Sequence, residues 1–129
     1  MPVDQAHLRK HMLLSPHGPG RVTPAQAYRA FEDRTATLVD VRERDEFEAG
    51  HAPGALLAPL LRLTDGADVP IGDGRNLVLL CRSGRRSQQA VQLLAEGGTE
   101  AVDVAGGMCA WADQGLPVRD AHGAAGIVI

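Results

Sequence analysis

NLVLL (Asn76–Leu80) runs without a break into CRSGRRS (Cys81–Ser87). The first segment is apolar on both faces and bounded by turn formers, the pattern of a strand covered on both sides. Strands of that kind belong to parallel sheets with helices packed over them. Arg86 to Glu96 then reads as a helix, with Ala90, Val91, Leu93, Leu94 and Ala95 as its apolar residues and Gly97-Gly98 ending it. A buried strand that turns sharply into a helix is the repeating unit of an α/β domain.

The flanking sequence repeats that alternation. Thr23 can cap a helix whose first position is Pro24 and whose pattern runs through Ala27, Tyr28, Ala30 and Phe31. Thr35 to Val41 reads as a buried strand, Glu43 to Ala49 as a short helix stopped by Gly50, and Pro53-Gly54 as a turn before a short strand over Ala55 to Ala58. Residues 64 to 75, rich in Gly and Asp, read as a loop. Beyond the central unit, Ala101 to Val104 is a strand, Gly106-Gly107 a turn and Met108 to Asp113 a helix. The expectation is a single α/β domain with a mainly parallel sheet and helices on both faces. Its bounds are residues 21–119, with a loosely ordered leader over 1–20 and an apolar tail over 120–129.

Composition limits what such a domain can do. The chain has 129 residues, 44% apolar and 22% charged, with a formal net charge of −3. Bulk charge therefore offers no attraction to nucleic acid or acidic membranes. Aromatic residues make up 3% of the chain, too few for stacking platforms on single-stranded nucleic acid. Two cysteines cannot build a disulfide framework, which points to a reducing compartment, and no apolar run suits a signal peptide or a membrane span. The expected location is cytoplasmic, with neither nucleic acid nor membrane as a partner. His7 and His11 would share one helix face, but no acidic or cysteine ligand lies close by, so no metal or organic cofactor is expected.

The chemistry should lie where the central strand meets its helix, because sites in open α/β sheets form beyond the carboxyl ends of the strands. Cys81 is held there by the sheet. Gly84 permits the left-handed curl needed to reach the helix. Successive backbone N–H groups would then point inward as an anion-binding nest, backed by the helix dipole. Ser87 can cap that helix, and Arg82, Arg85 and Arg86 add positive charge. Together these features favour a thiolate at Cys81 without a histidine base.

Three stretches resemble the rhodanese-like domains. Asp40-Val41-Arg42-Glu43, with Glu46-Phe47 and Gly50-His51-Ala52-Pro53-Gly54-Ala55, resembles the family's first signature. Cys81 to Ser87 resembles its active-site loop, and Gly106-Gly107 with Ala110-Trp111 and Gly115-Leu116-Pro117-Val118 resembles its C-terminal signature. The resemblance implies a five-stranded parallel sheet and a cysteine that carries a persulfide. Carried over, Cys81 would take a sulfane sulfur from thiosulfate or a related small anionic donor and yield it to cyanide or a thiol. Arg82, Ser83, Gly84, Arg85, Arg86 and Ser87 would form the substrate cradle, at least one arginine touching the donor's anionic end.

Rival readings turn on individual residues. Phosphatases and arsenate reductases of related fold use a Cys-x5-Arg loop. Their arginine would fall at position 87, which is Ser87, and Arg86 gives the shorter Cys-x4-Arg. A persulfide carrier serving a sulfur-relay protein is the alternative from a different functional class. Asp40 and Arg42, at the end of their strand, could support the loop from outside the cradle or form an ion pair, Arg42 then reaching Asp45 or Glu46. His51 is expected to be a hydrogen-bonded turn residue, Trp111 to pack the last helix with Met108 and Leu116, and Cys109 to be a small packing residue rather than a resolving thiol.

Overall fold

The alternation is realised in a computed structural model that describes residues 20–64 and 74–129. Five strands, β1 (Arg21–Val22), β2 (Ala36–Asp40), β3 (Leu56–Leu57), β4 (Asn76–Leu80) and β5 (Ala101–Val104), form one sheet in the order β1-β5-β4-β2-β3. Every pairing in it is parallel. Among the described residues five helices alternate with them: α1 (Pro24–Glu32), α2 (Arg44–Ala49), α3 (Leu60–Thr64), α4 (Arg85–Glu96) and α5 (Gly107–Asp113).

β4 holds the middle of the sheet, and Leu77 to Leu80 are at most 4% exposed. Their side chains alternate between two cores. Val78 and Leu80 pack with Leu38, Val102, Val104, Met108 and Trp111 on the face covered by α1 and α5. Leu77, Leu79 and Cys81 pack with Val39, Val41 and Ala90 on the face covered by α3 and α4. Apolar residues on both faces of one strand are thus explained by two separate layers of helix. Trp111, fully buried, closes the first core, donating its indole N–H to the carbonyl of Pro117 at 2.8 Å.

Local chemistry sets the helix starts. Thr23 and Gln26 form a reciprocal capping box at the head of α1, with Pro24 in its first turn. Glu43 and Glu46 form another at the head of α2. α2 ends at Ala49 with Gly50 as its stop, as expected. Gly50 is not left-handed but extended, with φ −177°. Glycine is required there because a Cβ would overlap the carbonyl of Ile127.

That contact belongs to the chain's last segment, which folds back along α2. Ala121 N–H donates to Glu48 O and Ile127 N–H to Ala49 O, each at 3.0 Å, satisfying carbonyls that the end of a helix leaves free. Val128 packs against the first core, and no strand forms in the tail. β1 and α3 are elements that the sequence pattern does not reveal. The leader with its histidines, and most of the Gly/Asp-rich segment, lie outside the described residues.

Candidate active site

The end of β4 delivers Cys81 to the mouth of the sheet, 1% exposed. The chain then curls through Arg82 and Ser83, both exposed, to Gly84, which is left-handed at φ +103° and directs its N–H at the Cys81 sulfur, 3.0 Å away. α4 starts at the next residue, so its positive end stands behind that sulfur. The helix has no side-chain cap, because Gly84 occupies the cap position. Ser87 therefore does not cap it. Its hydroxyl faces inward, 3.3 Å from Cys81 Sγ, and donates to Asp103 Oδ2 at 2.6 Å.

Asp103 was not foreseen as a site residue, nor was Arg21. Asp103 is 1% exposed in β5, and Arg21 on β1 meets it with Nε–Oδ1 at 3.0 Å and Nη2–Oδ2 at 3.1 Å. Arg21 Nη2 also donates to Gly84 O at 3.1 Å. One available signal was an aspartate between valines in a strand that buries both faces, which needs a partner. The two-residue length of β1 hid that partner.

The three loop arginines part company. Arg86 makes a two-pronged ion pair with Glu46, at 2.6 and 2.8 Å. The hydrogen bonds from Arg86 hold Glu46 below the ordinary carboxylate range, and the same bonds raise Arg86. Arg82 Nε donates to the carbonyl of Ile129 at 3.1 Å. Among the described residues Arg85 makes no side-chain hydrogen bond or ion pair, and it is exposed at the head of α4.

Asp40 and Arg42 pair with each other while fully buried, Nη2–Oδ2 2.7 Å, and Arg42 Nη2 also donates to Gly50 O at 2.7 Å. The expected Arg42 contact with Glu46 or Asp45 is thus replaced. Asp40 lies two residues away and its carboxylate also accepts the Arg42 N–H at 3.0 Å, whereas Glu46 is taken by Arg86. The pair clamps the turn between β2 and α2, and Val41 N–H holds Leu80 O at 2.8 Å beside the cysteine. α5 supports the loop from the other side: the N–H groups of Met108 and Cys109 donate to the carbonyls of Cys81 and Arg82 at 2.8 and 2.9 Å.

His51 stacks on Phe47, with centroids 3.8 Å apart, and its Nδ1 lies 2.7 Å from Phe47 O. Its backbone pairs with Arg119 in an isolated antiparallel bridge just before the Pro53-Gly54 turn. Cys109 is half-buried, and both cysteines are free thiols. No cluster of three or more His, Cys, Asp or Glu suited to a metal ion occurs among the described residues, and no helix there is long and apolar enough to cross a membrane. A buried thiol facing backbone and hydroxyl groups at a helix head is an arrangement for nucleophilic chemistry.

Comparison with known proteins gives the family of the domain. The chain is 34% identical over 93 residues to a chloroplastic thiosulfate sulfurtransferase of Arabidopsis thaliana, covering 63% of this chain and 78% of that one. It is 37% identical over 101 residues to an HTH-type transcriptional regulator of Mycobacterium tuberculosis, covering 77% of this chain but spanning only 44% of the regulator. The structure of a human single-domain sulfurtransferase superposes with a TM-score of 0.66 at 31% identity, covering 75% of this chain and 98% of that one. The model of the rhodanese-like domain matches residues 23–114, and the chain belongs to that family.

Proposed function

We propose that this protein is a sulfurtransferase that moves a sulfane sulfur from thiosulfate to a nucleophilic acceptor through a Cys81 persulfide. The observation that carries the reading is the Gly84 N–H aimed at Cys81 Sγ from 3.0 Å at the head of α4. In the first step the Cys81 thiolate attacks the outer sulfur of thiosulfate. A new S–S bond forms as the old one breaks, and sulfite leaves with the electron pair. In the second step cyanide or a thiol attacks the outer sulfur of the persulfide, releasing thiocyanate or a new persulfide and restoring the thiolate.

Arg85 is the cation we assign to the donor's anionic end, since Arg86 and Arg82 are already engaged. The same engagement argues against phosphate chemistry. Position 87, where a Cys-x5-Arg loop needs its guanidinium, holds Ser87, and the nearest arginine is bound to Glu46. We further propose a cytoplasmic setting, and a domain bounded by residues 21–119.

The test is to incubate the protein with thiosulfate, measure intact mass, then add cyanide and assay thiocyanate. The expected result is a gain of one sulfur atom and turnover, both absent in Cys81→Ala. Loading without turnover would favour a carrier that awaits a protein acceptor. Absence of loading would refute thiosulfate as the donor.

A further inference from the structure

The bonds around Cys81 close into a ring, of which the transfer scheme above uses only the Gly84 N–H. From the sulfur it runs to Ser87 Oγ, on to Asp103 and Arg21, through Arg21 to the Gly84 carbonyl, and back by the Gly84 N–H. The members come from the loop after β4, from α4, from β5 and from β1. Sequence neighbourhood therefore does not account for the closure.

From this circuit we infer that Ser87 and Asp103 form a relay that takes the proton from the Cys81 thiol, with Arg21 fixing the relay to the loop. The inference rests on Cys81 as the nucleophile. At 2.6 Å the Ser87–Asp103 bond is a short, charge-assisted O–H···O⁻ contact, so the hydroxyl proton points at the carboxylate. The Ser87 oxygen then offers a lone pair to the sulfur, and the thiol S–H donates to it at 3.3 Å.

When Cys81 is activated, its S–H bond breaks and an O–H bond forms on Ser87. The original Ser87 O–H bond breaks as its proton forms a bond to Asp103 Oδ2. The negative charge passes from the carboxylate to the sulfur, so the interior holds one anion on this path before and after. No side chain has to rotate. The thiolate now accepts from both Ser87 and the Gly84 N–H, and Asp103 donates to Ser87. When the acceptor removes the outer sulfur and the thiolate is restored, the two protons can return by the same path.

Arg21 serves both ends of this path. Its Nε and Nη2 fix the plane of the carboxylate, and Nη2 also holds the Gly84 peptide whose N–H faces the sulfur. The charged and titratable groups around the path are Arg21 from β1, Asp103 from β5, Cys81 after β4, and Arg86 from α4, whose charge also acts on Cys81. Ser87 touches the reacting sulfur. Asp103 acts through Ser87 and is a positioning residue.

The test reads alkylation of Cys81 by iodoacetamide, located by peptide mass, across neutral to alkaline pH. It requires a nucleophilic thiol but no sulfur transfer, so failure of the thiosulfate reading leaves it interpretable. Wild type, Ser87→Ala, Ser87→Thr, Asp103→Asn and the Ser87→Ala/Asp103→Asn double variant are compared. Ser87→Ala should react about tenfold or more slowly at neutral pH. Its deficit should shrink as hydroxide takes over the proton, and Ser87→Thr should restore the rate. Asp103→Asn should match Ser87→Ala, and the double variant should be no slower than either. Wild-type reactivity in Ser87→Ala at neutral pH, a deficit constant with pH, or multiplying effects in the double variant would each overturn the relay. If Asp103→Asn does not fold, the Ala and Thr variants at position 87 decide the matter alone.

Discussion

Gly84→Ala tests whether the loop's curl is held by backbone conformation alone or also by the residues packed against it. Gly84 and Gly98 both have left-handed backbones, at φ +103° and +87°. An alanine at either position costs about 1–2 kcal/mol for that conformation. At Gly98 nothing lies within 4 Å of the added methyl, so conformational strain is the whole cost. At Gly84 the methyl would stand 2.6 Å from Arg21 Nη2 and 3.3 Å from the Gly106 nitrogen. The guanidinium, which is half-buried, must swing out, breaking its bond to Gly84 O and loosening Asp103. Losing a hydrogen bond to a charged group costs about 1.5–3 kcal/mol. Gly84→Ala should therefore lose about 2.5–5 kcal/mol in urea unfolding at 25 °C, and Gly98→Ala about 1–2. Sulfur loading of the folded protein should fall at least tenfold in Gly84→Ala and stay at the wild-type rate in Gly98→Ala. Equal losses of stability in the two variants, or wild-type loading in Gly84→Ala, would refute the argument.

Other perturbations separate the remaining contacts. Glu46→Gln removes a pair whose side chains are 33% and 16% exposed, so it should cost no more than about 1 kcal/mol. Arg86 holds Glu46 below its usual value of 4.5, so this stability is complete above that pH and lost as the pH falls through the lower folded value. Urea unfolding of wild type and Glu46→Gln should thus converge in acid, and a gap that persists there would contradict the assignment. Arg42→Met strands a buried Asp40 and should cost about 3–5 kcal/mol, whereas Arg42→Met with Asp40→Asn should recover part of that loss. Arg85→Ala should raise the KM for thiosulfate several-fold with little change in kcat, and an unchanged KM would remove Arg85 from the donor site. Cys109→Ser should leave sulfur loading within about twofold of wild type, and a larger loss would restore Cys109 as a sulfur relay.

The sequence made the class of this fold plain, because a strand apolar on both faces has few homes other than a helix-covered parallel sheet. Cys81 and Gly84 were legible for a related reason. A strand that must turn at once into a helix leaves little freedom for the residues between, and a glycine in that place marks the curl. The choice of ion-pair partners was not legible. Arg86 chose Glu46 on another helix, 40 positions away, and Arg42 chose Asp40, against the local i,i+4 alternative. Ser87 resembled a cap because serine near a helix start usually is one. The chain instead turned backbone at the helix head and freed that hydroxyl for the sulfur. Gly50 does stop its helix, but what demands glycine there is a carbonyl that arrives from position 127.

The pairing of the first strand with the last has a consequence for how the chain comes together. Arg21 and Asp103 are 82 positions apart. β2 and β4 can join once residue 80 has been made, but β1 has no edge to dock on until β5 has formed. Closing so wide a separation is slow compared with local structure. A chain emerging from the ribosome would therefore present its cysteine before the groups that hold it are in place. The contacts around Cys81 are among the last parts of the molecule to mature, and during refolding, recovery of secondary structure should run ahead of recovery of the thiol's native behaviour.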